Sequence, residues 1–134
     1  MSFLTFEMKT NFEPENIETQ VTTIIKQLGV PIQLDGHQYL CTAIIMIIRD
    51  SEVIGRVTKI LYPSVAKIYN TTPSIVERCI REVIAETFET GNFEMLNEFF
   101  GHIRYRNTKG IPSNSEFIAQ IADYICLRNR SNIQ

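Results

Sequence analysis

The chain has 134 residues and a formal net charge of −2, with 44% hydrophobic and 21% charged residues. This length suits one domain of about 100–150 residues with its own core, and the composition excludes a largely disordered or low-complexity chain. Taken as a total, the charge of −2 argues against nucleic acid as a partner, because nucleic-acid-binding domains usually carry a basic excess.

The three cysteines, Cys41, Cys79 and Cys126, are far apart and show no metal-site spacing. Each sits among aliphatic residues, which favours small buried side chains in a reduced compartment, with no metal and no cofactor. No secretory signal pattern is visible, and the longest apolar run, residues 43–48, is far shorter than the roughly 20 residues that span a bilayer. We therefore expect a cytoplasmic protein with no membrane partner.

Residues 1–16 show no helical period, and we interpret them as a partly flexible leader before a domain over residues 17–134. Apolar residues then recur at three- and four-residue spacing and predict a helix over residues 17–28, which Gly29 ends. The pair Asp35-Gly36 indicates a turn before the next helix.

Further helices follow from the same periodicity and from turn residues between them. The predicted ranges are about 37–50, 52–61, 63–69, 73–88, 93–100 and 113–127. Gly101 is expected to stop the penultimate helix, and residues 102–112 are expected to form a polar, basic loop. Without repeats or alternating strand patterns, the chain is predicted to be all-α, a compact domain of about six or seven helices.

The stretch of residues 63–88 has the parts of a helix-turn-helix: a short helix, a three-residue turn and a longer helix. Ala66 supplies a small residue for helix packing, and Asn70 tolerates the left-handed conformation that the turn requires. A 3.6-residue period buries one face of the longer helix and exposes the other. The candidate DNA-contacting residues are Ser74, Ile75, Glu77, Arg78 and Arg81 on the longer helix, with Lys67, Asn70, Thr71 and Thr72 before it. A tight helical corner with solvated arginines is the alternative.

Charge is unevenly distributed along the chain. Residues 56–81 carry a net +4 and residues 101–134 a net +3, whereas residues 82–100 carry five glutamates and no base. The basic residues therefore concentrate on the helix-turn-helix and the C-terminal region, as a phosphate-binding surface requires.

At these residues the sequence resembles the C-terminal DNA-binding effector domains of the stage 0 sporulation protein A family, over about residues 17–128. Two blocks carry most of the resemblance: Asn70-Thr71-Thr72, Ser74, Val76-Glu77-Arg78 and Ile80-Arg81, and then Asn114-Ser115-Glu116-Phe117-Ile118-Ala119 and Ala122-Asp123. The resemblance implies an all-helical regulator of transcription that binds short boxes of double-stranded DNA, often in tandem, with the helix over residues 73–88 in the major groove. It also implies that residues 89–101 face the RNA polymerase sigma subunit.

Three departures from the family pattern bear on function. The family usually has arginine at the position of Ile75 and histidine at that of Glu82, so the DNA box is expected to differ. The family's receiver domain is too large for residues 1–16, which indicates a stand-alone effector domain or a fragment.

No enzymatic activity is expected, because His37 and His102 lack a nearby nucleophile or carboxylate constellation and no glycine-rich phosphate loop is present. The runner-up function is a protein-interaction module without a receiver domain. Such a module would antagonise the full-length regulator or contact polymerase while reading DNA weakly.

Overall fold

A computed structural model of the chain describes residues 16–106 and 110–133. Within these ranges it contains six α-helices and no strand, which confirms the all-α fold class. In chain order the helices are α1 Ile17–Leu28, α2 Asp35–Arg49, α3 Tyr62–Ile68, α4 Pro73–Thr90, α5 Phe93–Arg106 and α6 Asn114–Ile133. Among the described helices none is both long and apolar enough to cross a bilayer.

Both ends of α1 are capped by the residues that flank it in the sequence. Asn16, the last residue of the predicted leader, caps the start of α1; the rest of that leader lies outside the described residues. Gly29 has a φ of +91°, and its N–H donates to Lys26 at 3.0 Å while the Val30 N–H donates to Ile25 at 3.2 Å. This pair of bonds is a Schellman motif, so Gly29 ends α1 as predicted.

Helix α2 is the central element and contacts every other helix of the core except α5 closely. Leu40, Ala43 and Ile44 are fully buried on it. A second part of the core lies where α5 meets α6: the rings of Phe100 and Phe117 stack with centroids 4.7 Å apart. Burial of such side chains, at about 1.5–3 kcal/mol each, is the main stabilising term.

The turn predicted at Asp35-Gly36 is wrong, because α2 already begins at Asp35. Gly36 is buried in the first turn of α2, where its missing side chain admits the backbone of α4. A Cβ at this position would collide with the Cys79 carbonyl and lie 2.9 Å from the Val83 Cβ. Glycine therefore serves a close helix–helix approach here rather than a turn.

The helical stretch predicted over residues 52–61 is helical but not an α-helix. It consists of a 3₁₀ segment, Ser51–Arg56, followed by a π-helical segment, Val57–Leu61. The N–H of Tyr62 donates to the Val57 carbonyl across the wider π turn, so this segment passes directly into α3.

The stop predicted at Gly101 is also wrong, because α5 continues to Arg106. Glycine inside a helix costs only about 1 kcal/mol, and burial of Phe100 and Ile103 on either side outweighs that cost. The predicted polar loop is thus helical at its start, and residues 107–109 of it lie outside the described residues. At the C-terminus α6 reaches Ile133, beyond the predicted end at residue 127.

Candidate nucleic-acid interface

The turn between α3 and α4 is a second Schellman motif, with asparagine in the position that glycine usually takes. Asn70 has a φ of 57° and is the one non-glycine residue of the described chain with positive φ. The Thr71 N–H donates to the Ala66 carbonyl at 2.9 Å, and the Asn70 N–H donates to Lys67 at 3.4 Å. The predicted left-handed conformation of Asn70 is therefore confirmed.

Two tyrosines attach this turn to the central helix α2. The Tyr69 hydroxyl lies 2.7 Å from the Thr42 Oγ1, and the rings of Tyr39 and Tyr69 have centroids 5.2 Å apart. Burial raises the pKa of the Tyr39 hydroxyl, and a hydrogen bond with the Thr71 side chain opposes this shift. These contacts fix the turn against α2, and they cannot be predicted from the residues of the turn alone.

Helix α4 begins at Pro73 with Thr72 as its N-cap. The Thr72 Oγ1 accepts a hydrogen bond from the Ile75 N–H at 3.3 Å, and proline is tolerated at the first helical position because its absent N–H has no helical partner there. Thr72, rather than Ser74, is therefore the N-cap of α4.

The buried face of α4 largely follows the predicted period. Its buried residues are Val76, Ile80, Val83, Ile84 and Thr87, with Cys79 half-buried beside Gly36. The N-terminal half presents Ser74, Ile75, Arg78 and Arg81 to solvent, and we call these four residues the reading face. Lys67, Asn70 and Thr72 are exposed next to it, whereas Thr71 and Glu77 are half-buried.

The two arginines of the reading face differ in their surroundings. The Arg81 Nε donates to the Glu77 Oε2 at 3.0 Å, and this bond, with the charges of Glu77 and Glu82, raises the pKa of Arg81. Arg78 is exposed and forms no ion pair with the described residues. Arg78 therefore offers a free guanidinium, and Arg81 one oriented by its neighbour.

Asn114, the first residue of α6, also reaches the helix-turn-helix. Its buried amide Nδ2 donates to the Tyr62 hydroxyl at 3.0 Å and to the Glu77 carbonyl at 3.2 Å. The sequence marked Asn114 only as part of a family block. Its partners, Tyr62 and the Glu77 carbonyl, are distant in the chain and could be found only from the fold.

Arg128, one of the C-terminal basic residues, contacts α1 rather than the helix-turn-helix. Arg128 donates to the Gln20 Oε1 at 3.0 Å and lies over the Tyr124 ring at 5.4 Å, so it fastens α6 to α1. The side chains of Arg104 and Arg106, and all of Lys109, lie outside the described residues.

A comparison with known families agrees with this geometry. The family model "Sporulation initiation factor Spo0A C terminal" matches residues 21–125, which is most of the chain and includes the whole helix-turn-helix. Members of that family are DNA-binding domains rather than enzymes. The chain therefore belongs to the Spo0A C-terminal family and is a sporulation-type DNA-binding effector domain of transcription regulation.

Proposed function

We propose that this protein is a sequence-specific regulator of transcription that reads double-stranded DNA by placing the N-terminal half of α4 in the major groove. The observation that carries the proposal is the reading face itself, which projects from a helix fixed at its start by the Asn70 turn and the Thr72 cap. A B-DNA major groove of about 12 Å admits one α-helix.

Arg78 is the proposed main base reader. It is exposed and unpaired among the described residues, so its guanidinium is available for a bidentate contact with guanine O6 and N7. Such a contact contributes about 1–3 kcal/mol of discrimination against other bases. Arg81 would make a second contact, with Glu77 either orienting it or accepting from cytosine N4.

Ile75 would contribute an apolar contact. Its side chain is 37% exposed although it is a large aliphatic residue, and a thymine methyl in the groove would cover it. Glu82, by contrast, places a negative charge on the exposed side of α4 near the expected phosphates. Both residues predict a box that differs from the one usual in the family.

Lys67 and the turn residues Asn70, Thr71 and Thr72 are proposed to contact the phosphate backbone. They lie directly before α4, where a helix-turn-helix meets the DNA strand that borders the groove. Such contacts set the register and the salt dependence of binding but carry no sequence information.

The test is selection of duplexes from a randomised pool by the purified protein, followed by affinity measurements over a salt series. The proposal predicts an enriched box, and an affinity that falls as salt rises because bound phosphates release counterions. Enrichment of two boxes at fixed spacing would indicate tandem binding by two copies. No enriched sequence, or an affinity indifferent to salt, would refute the proposal.

A second candidate function rests on the acidic part of the chain. The glutamates of residues 82–98 are all exposed on the C-terminal half of α4 and on α5: Glu82, Glu86, Glu89, Glu94 and Glu98. They offer a surface for a basic partner, for which the RNA polymerase sigma subunit is the candidate that the family suggests. Binding of that subunit by a protein that selects no DNA would favour this interaction role.

A further inference from the structure

Asn114 connects three helices at the end of the helix-turn-helix where DNA would bind. It is the first residue of α6 and is 9% exposed, and its amide nitrogen bonds at 3.0 Å to Tyr62 of α3 and at 3.2 Å to the Glu77 carbonyl of α4. The Glu77 carbonyl lies in the same turn of α4 as Arg78. A change in this contact therefore acts directly on the backbone that carries the reading face.

The side chain of Asn114 is not needed to close its own helix. Ser113 and Glu116 already form a capping box at the start of α6, with the Ser113 N–H donating to Glu116 at 2.9 Å and the Glu116 N–H donating to Ser113 at 3.1 Å. The two hydrogen bonds of Asn114 go instead to α3 and α4. This division of contacts separates the stability of α6 from the placement of α4.

We infer that Asn114 is a positioning residue for DNA reading, holding the N-terminal turns of α4 at the tilt at which Arg78 and Arg81 meet base edges. The inference rests on the proposed function, because it concerns how that same face is aimed. Losing the amide donor leaves the Glu77 carbonyl and the Tyr62 hydroxyl without this partner. Buried polar groups do not tolerate this without a shift or an inserted water.

The informative variant is Asn114→Asp, which keeps the shape of the side chain but replaces the donor with an acceptor. A carboxylate in the first turn of α6 is favourable for that helix, whereas it repels the Glu77 carbonyl. We expect Asn114→Asp to lower the ratio of affinities for the selected box and a random duplex about tenfold, the size of one lost bidentate base contact. Tyr62→Phe removes one of the two acceptors and is expected to lower the same ratio less.

Asn92→Ala is the matched control. Asn92 caps the start of α5 through the Met95 N–H at 3.1 Å, near the far end of α4 from the reading face. Its loss should lower the thermal midpoint but leave the affinity ratio unchanged. An Asn114→Asp protein that keeps the wild-type ratio would overturn the inference. Should that variant not fold, an unchanged ratio in Tyr62→Phe would overturn it equally. Failure of the proposed function is distinguishable from failure of this inference, because in the former case the wild-type protein itself would select no box.

Discussion

Gly36→Ala is the substitution for which the fold and local propensity predict opposite outcomes. Gly36 lies in the first turn of α2, and in an isolated helix alanine would be more stable than glycine by about 1 kcal/mol. In the folded protein the added Cβ would collide with the Cys79 carbonyl and lie 2.9 Å from the Val83 Cβ. The first of these neighbours is backbone and cannot rotate away, so α2 and α4 must separate.

The size of the effect follows from these two terms. Overpacking of a filled interior costs about 1–3 kcal/mol, and contact with backbone places Gly36→Ala near the upper end. After subtraction of the propensity gain of about 1 kcal/mol, the free energy of unfolding should fall by about 2 kcal/mol. For a domain of this size that corresponds to a thermal midpoint lower by roughly 6–10 °C.

Urea denaturation monitored by circular dichroism measures this change, and Gly101→Ala provides the control. Gly101 lies inside α5, where an added Cβ would meet only the flexible Asn97 side chain at 3.4 Å, so this variant should gain up to about 1 kcal/mol from propensity. Opposite signs for the two glycine-to-alanine variants are therefore expected. A Gly36→Ala protein as stable as the wild type would refute the close approach of α2 and α4.

Three further predictions follow from single residues. Asn70→Ala should lower the free energy of unfolding by about 1 kcal/mol, because alanine tolerates the left-handed turn poorly. Asn70→Gly should keep that free energy within a few tenths of a kcal/mol of the wild-type value. Chemical denaturation measures both. Burial lowers the pKa of His37 from its usual 6.5, so the imidazole binds a proton more readily in the unfolded chain than in the folded one. The free energy of unfolding should therefore fall as pH decreases through about 6.5. His37→Gln should flatten that part of the pH–stability profile. Glu82→Gln should raise affinity for random DNA about twofold at low salt, because one repulsive charge near the phosphates is removed. Fluorescence anisotropy measures this affinity, and an unchanged value would place Glu82 away from the DNA.

The glycines show how far the sequence predicts the fold. Gly29 ends α1 as its local pattern indicates, because the Schellman motif is made from residues near it in the chain. Gly36 and Gly101 have similar local patterns but lie inside helices. What distinguishes Gly36 is the backbone at Cys79, a contact that forms only when distant helices pack.

Likewise, some features of the candidate site can be predicted from the local sequence and others cannot. The turn at Asn70, the cap at Thr72 and the exposed arginines follow from turn chemistry and helical period, both of which are local. The anchors of that site, the Tyr69–Thr42 contact and the bonds from Asn114, join residues far apart in the chain. Their residue types are visible in the sequence, but no local rule pairs them.

The most direct test of major-groove reading compares Arg78→Ala with Lys67→Ala on the selected box and on random duplex across a salt series. If Arg78 reads a base, Arg78→Ala should remove about 1–3 kcal/mol of selectivity between the selected box and random duplex. If Lys67 contacts a phosphate, Lys67→Ala should weaken binding to both duplexes equally and reduce the salt slope by about one. Equal losses on both duplexes for the two variants would contradict the assignment of α4 as the helix that reads sequence.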